Sequence, residues 1–95
     1  MMLYAIMSED VLDSAILRTS ARPAHLARLE ALRDEGRLAM AGPFPFIEGK
    51  GVTGSLVVAE FDDYDAALQW ADADPYVDAG VYANVVVKPF RQVMP

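Results

Sequence analysis

The sequence predicts an α+β domain in which a four-stranded antiparallel sheet carries two helices on one face. Three observations predict it. Hydrophobic periodicity runs strand–helix–strand–strand–helix–strand along the chain. Ninety-five residues hold one domain, 1–95, and not two. The strand segments read as apolar runs rather than an alternation of apolar and polar residues, so both faces of the sheet need a cover.

Residues 3–7 form a short apolar run closed by Ser8, Glu9 and Asp10, as in a buried first strand. Val11, Leu12, Ala15 and Ile16 recur at helical spacing and predict a turn or two of helix ahead of a main helix over 21–35. Ser20 reads as its N-cap, Pro23 as a first-turn residue, Gly36 as its left-handed stop and Arg37 as a cation at the carbonyl end. Residues 38–42 predict a second strand ended by Pro43-Phe44-Pro45, and the glycines at 49 and 51 predict a loop over 46–53. Residues 54–61 predict a third strand. Asp62 or Asp63 then caps a helix with Tyr64, Ala67, Leu68 and Ala71 on one face. Pro75 ends that helix and biases Asp74 toward extended backbone. Residues 77–83 lead through a hinge at Gly80 to a last strand over 85–88, where Pro89 marks an edge or a bulge. This order is the split β-α-β pattern of a ferredoxin-like domain. Two helices cover one face only, so a second copy of the sheet is the simplest cover for the other, and a homodimer packed sheet on sheet is expected.

Composition narrows the function classes. Fourteen acidic against eight basic residues give a net charge of −6, which argues against a nucleic-acid partner. Arg22, Arg28, Arg33 and Arg37 fall along one predicted helix and read as solvated flanks paired with residues such as Glu30 and Asp34. There is no cysteine, which removes disulfides, zinc–thiolate sites and thiol nucleophiles together. No segment is long enough to cross a bilayer and no signal peptide is legible, so the expected location is cytoplasmic, with no membrane partner. No phosphate loop, nucleophile elbow or metal-ligand cluster is present, so no cofactor and no metal is expected.

The single histidine is the residue with the most chemical reach. His25, Leu29 and Leu32 share one side of the main helix, with Arg22 and Leu26 beside them, so His25 is placed in the first turn at the upper edge of a buried face. Imidazole titrates near neutral pH, and a carboxylate on its far nitrogen would fix the tautomer, as in a general acid–base pair. Asp34 is a poor partner, about 13 Å along the same helix on the opposite side. Asp72, Asp74 and Asp78 all fall in the segment that returns to the helix, and spacing does not choose among them. Arg22 is suited to an anionic substrate group or to a surface salt bridge. Ser55 serves a turn or cap or offers a hydroxyl at a strand start, Gly42 and Pro43 shape a wall, and Tyr76 and Tyr82 line the cleft or pack in the core.

The motifs Arg22-Pro23-Ala24-His25-Leu26, Asp34-Glu35-Gly36-Arg37-Leu38, Ala41-Gly42-Pro43, Thr53-Gly54-Ser55, Ala71-Asp72-Ala73-Asp74-Pro75-Tyr76, Ala79-Gly80-Val81-Tyr82 and Val87-Lys88-Pro89-Phe90, in this order and spacing, closely resemble the YciI-like family. The resemblance runs from Met2 to Val93. It implies a ferredoxin-like dimeric α+β barrel with a site centred on a histidine–aspartate pair, here His25 and Asp74. It also implies a cofactor-independent lyase, isomerase or hydrolase acting on a small molecule, with a ring compound as the expected class. The competing expectation is a non-catalytic ligand-binding or protein-interaction domain in which His25 only fixes local structure.

Overall fold

The computed structural model describes residues 1–95. The chain runs β1 (Met2–Asp10), α1 (Ala15–Asp34), β2 (Leu38–Pro45), β3 (Val52–Phe61), α2 (Tyr64–Asp72), α3 (Pro75–Asp78) and β4 (Tyr82–Phe90). The strands make one antiparallel sheet in the order β2-β3-β1-β4, the ferredoxin-like arrangement expected from the element order. Alternate residues of the central strands (Tyr4 and Ile6 from β1, Val57, Ala59 and Phe61 from β3) join Val87 of β4 against Leu32, Ala67 and Ala71 of the helices. That period of two selects which residues enter the core. The edge-on contact of Tyr4 with Phe61, ring centroids 6.3 Å apart, fills its centre.

The first helix differs from the sequence expectation. It is one continuous element of 20 residues beginning at Ala15, so Ser20 is interior and Pro23 lies inside the helix rather than in its first turn. His25 therefore sits mid-helix. The early start has a cause in the preceding turn. The Ser14 hydroxyl donates to Asp10 Oδ2 at 2.6 Å, and Arg18 donates Nε and Nη2 to the two oxygens of the same carboxylate at 2.7 and 2.9 Å. This cluster fastens the first turn to the end of β1 and outweighs the hydrogen bond that Pro23 forgoes. At the far end Gly36 does stop the helix as expected, with φ +73° and Arg37 N–H donating to the Leu32 carbonyl. Arg37 itself lies beyond α1.

The strands outrun their predicted ends because β2 and β4 are the sheet's two edges, where proline is tolerated: β2 continues through Pro43 to Pro45, and β4 spans Pro89. Asp63 is the cap of α2, its side chain accepting from Ala66 N–H at 2.8 Å. The predicted connector after Pro75 contains a single helical turn, α3. Gly80 (φ +77°) closes it with Val81 N–H donating to the Tyr76 carbonyl at 3.0 Å, which buries Val81 and aims the chain into β4.

At Gly54 the backbones of β3 and β1 come so close that a Cβ would overlap the Ser8 carbonyl oxygen and press on Glu9. Gly54→Ala should therefore cost about 2–3 kcal/mol through forced separation of the two strands. Chemical denaturation measures it; a loss below about 0.5 kcal/mol, the size of an ordinary surface change, would show that the strands yield freely.

Candidate active site

Two segments far apart in sequence meet at the middle of α1. His25 Nδ1 lies 2.9 Å from Asp74 Oδ1 and 3.0 Å from Oδ2, and the side chains are only 9% and 6% exposed. A carboxylate accepts and does not donate, so Nδ1 carries the hydrogen and Nε2 is left as the free nitrogen. Nε2 has no partner within the chain and is not sealed from solvent. The Asp-Pro sequence accounts for the aim of the carboxylate. Pro75 holds Asp74 at φ −62°, ψ 129°, where it caps α3 by accepting from Tyr76 N–H at 2.9 Å. The carboxylate is thus held from its own side before it meets the imidazole. Asp72 and Asp78, the alternatives left open by spacing, are both exposed.

Tyr76 ties this pair to its surroundings. Its ring stacks on His25 with centroids 3.9 Å apart and planes 12° from parallel, and meets Tyr82 edge-on at 5.8 Å. The Tyr82 hydroxyl is 3.0 Å from Ser55 Oγ and also meets the Ser8 hydroxyl. Ser8 and Ser55 are buried cross-strand partners in β1 and β3, on the core face at the end of the sheet nearest α1. Burial pushes the Tyr82 phenol above its ordinary value of 10.0; the hydrogen bonds of Ser55 and Ser8 and the charge of Arg18 oppose that rise, and the Asp74 charge adds to it.

Two arginines of α1 flank the pair. The Arg18 guanidinium, already held by Asp10, lies 4.9 Å from the centre of the Tyr76 ring. Burial works against its charge, but the hydrogen bond and attraction of Asp10 outweigh that and raise its pKa. Arg28 packs 4.3 Å over the Trp70 ring and donates Nη2 to the Trp70 carbonyl at 2.8 Å, fastening α1 to the end of α2 just before Asp74. Burial pulls its pKa down and the Asp74 charge offsets part of that.

The remaining sequence candidates spread out. Ser55 joins the hydroxyl cluster and Tyr76 the imidazole stack. Arg22 is exposed and lines a cleft of about 500 Å³ between the start of α1 and the β2–β3 loop, together with Arg18, Phe46 and Lys50. Pro43 is the cross-strand partner of Ser55, so it lies on the same face at the sheet's edge, but it is exposed. Gly42 is paired with Leu56 on the opposite face, with nothing within 4 Å of the place a Cβ would occupy, so it walls no cleft on the histidine side. Sequence reasoning missed the Asp10–Ser14–Arg18 cluster. Its signal was present: Arg18 precedes His25 by seven residues and shares its helical stripe, with Asp10 and Ser14 one turn apart before it. No group of three or more His, Cys, Asp or Glu side chains is placed to hold a metal.

The model of the YCII-related domain matches residues 2–91 of the chain. Protein YciI of Escherichia coli O6:H1 is 57% identical over 97 aligned positions, covering 97% of this chain and 99% of that protein. An uncharacterized protein of Haemophilus influenzae is 47% identical over the same shares. Among solved structures, the 5-chloro-2-hydroxyhydroquinone dehydrochlorinase TftG of Burkholderia phenoliruptrix AC1100, in complex with 2,5-dihydroxybenzoquinone, superposes with a TM-score of 0.83. It is 29% identical, with 95% of this chain and 94% of that chain covered.

The Tyr82 environment predicts a pH dependence. A phenol whose folded pKa is raised contributes stability that is fully present below the unfolded value near 10.0 and is lost as pH rises through the folded value. Denaturation midpoints of the wild-type protein should therefore fall as pH climbs above that value, and Tyr82→Phe should flatten this part of the decline. Parallel curves for the two proteins would show that Tyr82 does not titrate later than an ordinary tyrosine.

Proposed function

This chain belongs to the YCII-related family, and from that premise we propose that it is a cofactor-independent small-molecule enzyme, a lyase acting on a ring compound, in which His25 is the general acid–base and Asp74 its positioning partner. The observation that carries this reading is the buried His25–Asp74 pair with Nε2 left open. Asp74 fixes the tautomer and stabilises the imidazolium that forms when Nε2 takes a proton. In a lyase that proton comes from substrate carbon or hydroxyl, the released electron pair forms a double bond, and a leaving group departs with its own bonding pair. An isomerase would return the proton at another position, and a hydrolase would take it from water. The likeness to a dehydrochlorinase bound to a quinone favours the first of these and the ring compound. Arg22, at the rim of the neighbouring cleft, is suited to an anionic substituent.

The buried pair changes how this reading is tested. Because His25 is buried, hydrogen-bonded and stacked, its removal costs stability whether or not it is catalytic, so turnover has to be compared at a temperature where each variant is folded. His25→Asn keeps an amide donor near the Nδ1 position and removes the base. With chlorinated hydroxyhydroquinones as substrates and chloride release as the readout, His25→Asn should lower the rate about 10²- to 10⁴-fold. Asp74→Asn should act in the same direction and alter the ring tautomer seen by nitrogen NMR. Unchanged turnover in folded His25→Asn would favour the non-catalytic ligand-binding reading.

We also propose that the protein is a homodimer through the open sheet face. The register puts Leu3, Ala5 and Met7 of β1, Leu56 and Val58 of β3, Met40 and Phe44 of β2 and Val86 and Phe90 of β4 on the face away from the helices. Met40, Phe44, Val86 and Phe90 are exposed there, four large apolar side chains on one face, with Lys88 and Glu60 on the same face. Light scattering at micromolar concentration should give twice the chain mass, and Val86→Lys should shift it to one; a wild-type monomer would overturn the dimer.

A further inference from the structure

The 500 Å³ cleft at the start of α1 has a composition at odds with the chain around it. The protein carries a net charge of −6, yet the cleft is lined by three cations, Arg18, Arg22 and Lys50, against Asp10 and Asp13. Asp10 is committed to Arg18 through two hydrogen bonds, which leaves Asp13 as the one carboxylate without that commitment. Arg18 is held as a recognition group is held. Its side chain is 12% exposed, Nε and Nη2 are occupied by Asp10, and Nη1 has no partner in the chain while still reaching solvent. A guanidinium fixed on one edge and free on the other offers a donor at no cost in side-chain freedom. Its position is also informative, because it touches the same Tyr76 ring that stacks on His25. An aromatic ring also lines the cleft: Phe46, in the β2–β3 loop, donates its amide to the Gly51 carbonyl at 3.3 Å. A Cβ at Gly51 would come within 3.3 Å of the Phe46 ring, so the missing side chain leaves the ring its place.

We propose that this cleft binds a small planar organic anion, with Arg18 as its fixed donor, Arg22 and Lys50 as outer charges and Phe46 as the apolar wall. The inference depends on the acid–base reading only for what happens at the end of the cleft nearest Tyr76. Cations select the anion, and an aromatic wall with apolar neighbours Val11 and Leu12 selects a flat apolar body. The open face of the sheet offers a second concavity of about 650 Å³, lined by Met7, Phe44, Val86 and Lys88, but it lies away from His25 and holds one cation against Glu9 and Asp10.

The test uses 4-nitrophenolate as probe and 4-nitroanisole as its neutral counterpart, titrated into the whole protein with amide NMR as readout. 4-Nitrophenolate should shift Thr19, Phe46 and Gly51 and weaken with added salt, while 4-nitroanisole binds less well. Arg22→Gln and Lys50→Gln, both surface changes, should each weaken the anion about 2- to 5-fold without altering thermal stability. Equal binding of the two probes, indifference to salt, or shifts centred on Met7 and Val86 would overturn the proposal. His25→Asn separates it from the function proposed above. Retained 4-nitrophenolate binding in that variant supports the cleft whatever its turnover, whereas wild-type turnover without 4-nitrophenolate binding overturns the cleft alone.

Discussion

The hydrogen bond between His25 and Asp74 is the contact on which the arrangement of this molecule turns. It joins residues 49 apart in sequence and fixes α3 against α1. A carboxylate as buried as Asp74 is tolerated only when its oxygens are satisfied, and here they are met by the imidazole and by the amide of Tyr76. Three local features make this possible: an extended Asp-Pro backbone, a single turn of helix that supplies the amide, and a glycine that ends the turn in time for β4 to begin. Removing either partner leaves the other buried and under-satisfied.

Much of the fold was legible because its signals are local. The element order, the Gly36 stop, the Asp63 cap and the stripe holding His25, Leu29 and Leu32 follow from residues within a few positions of one another. The family motifs brought Asp74 forward, which spacing alone could not do, since three aspartates lie in the same short segment and only the folded path distinguishes them. The misplaced start of α1 has the opposite cause. Pro23 is a strong local signal for a first turn, and it is overridden by a carboxylate on β1 that collects a hydroxyl and a guanidinium from the next two turns. Local preference lost to a cluster whose members look ordinary one at a time.

The arginines show the same divergence between sequence and space. Read along the chain, Arg22, Arg28, Arg33 and Arg37 suggest one basic flank. In the fold each does something different. Arg33 is exposed beside Glu30 and Asp34, an arrangement worth little in water. Arg37 lies past α1, over the Phe61 ring, and donates to the Glu60 carbonyl. Arg28 is turned inward onto Trp70, where its Nη1 is buried without a partner. Arg22 alone remains free for the cleft. A chain with a large acidic excess thus concentrates usable positive charge at one place, next to its only imidazole.

The sheet connects that place to the opposite face. Successive residues of a strand point to opposite sides, so Met7 and Leu56 on the open face directly adjoin Ser8 and Ser55, which meet Tyr82 on the histidine side. Gly54 leaves no slack between the two strands at this point. Any pressure that twists or slides β3 along β1 would therefore move the hydroxyl cluster and, through the Tyr82–Tyr76 contact, the ring stacked on His25. Association through the open face would hold that register from outside. The apolar residues of that face would then be more than a surface to be covered, because in such a dimer they would brace the strands that carry Ser8 and Ser55.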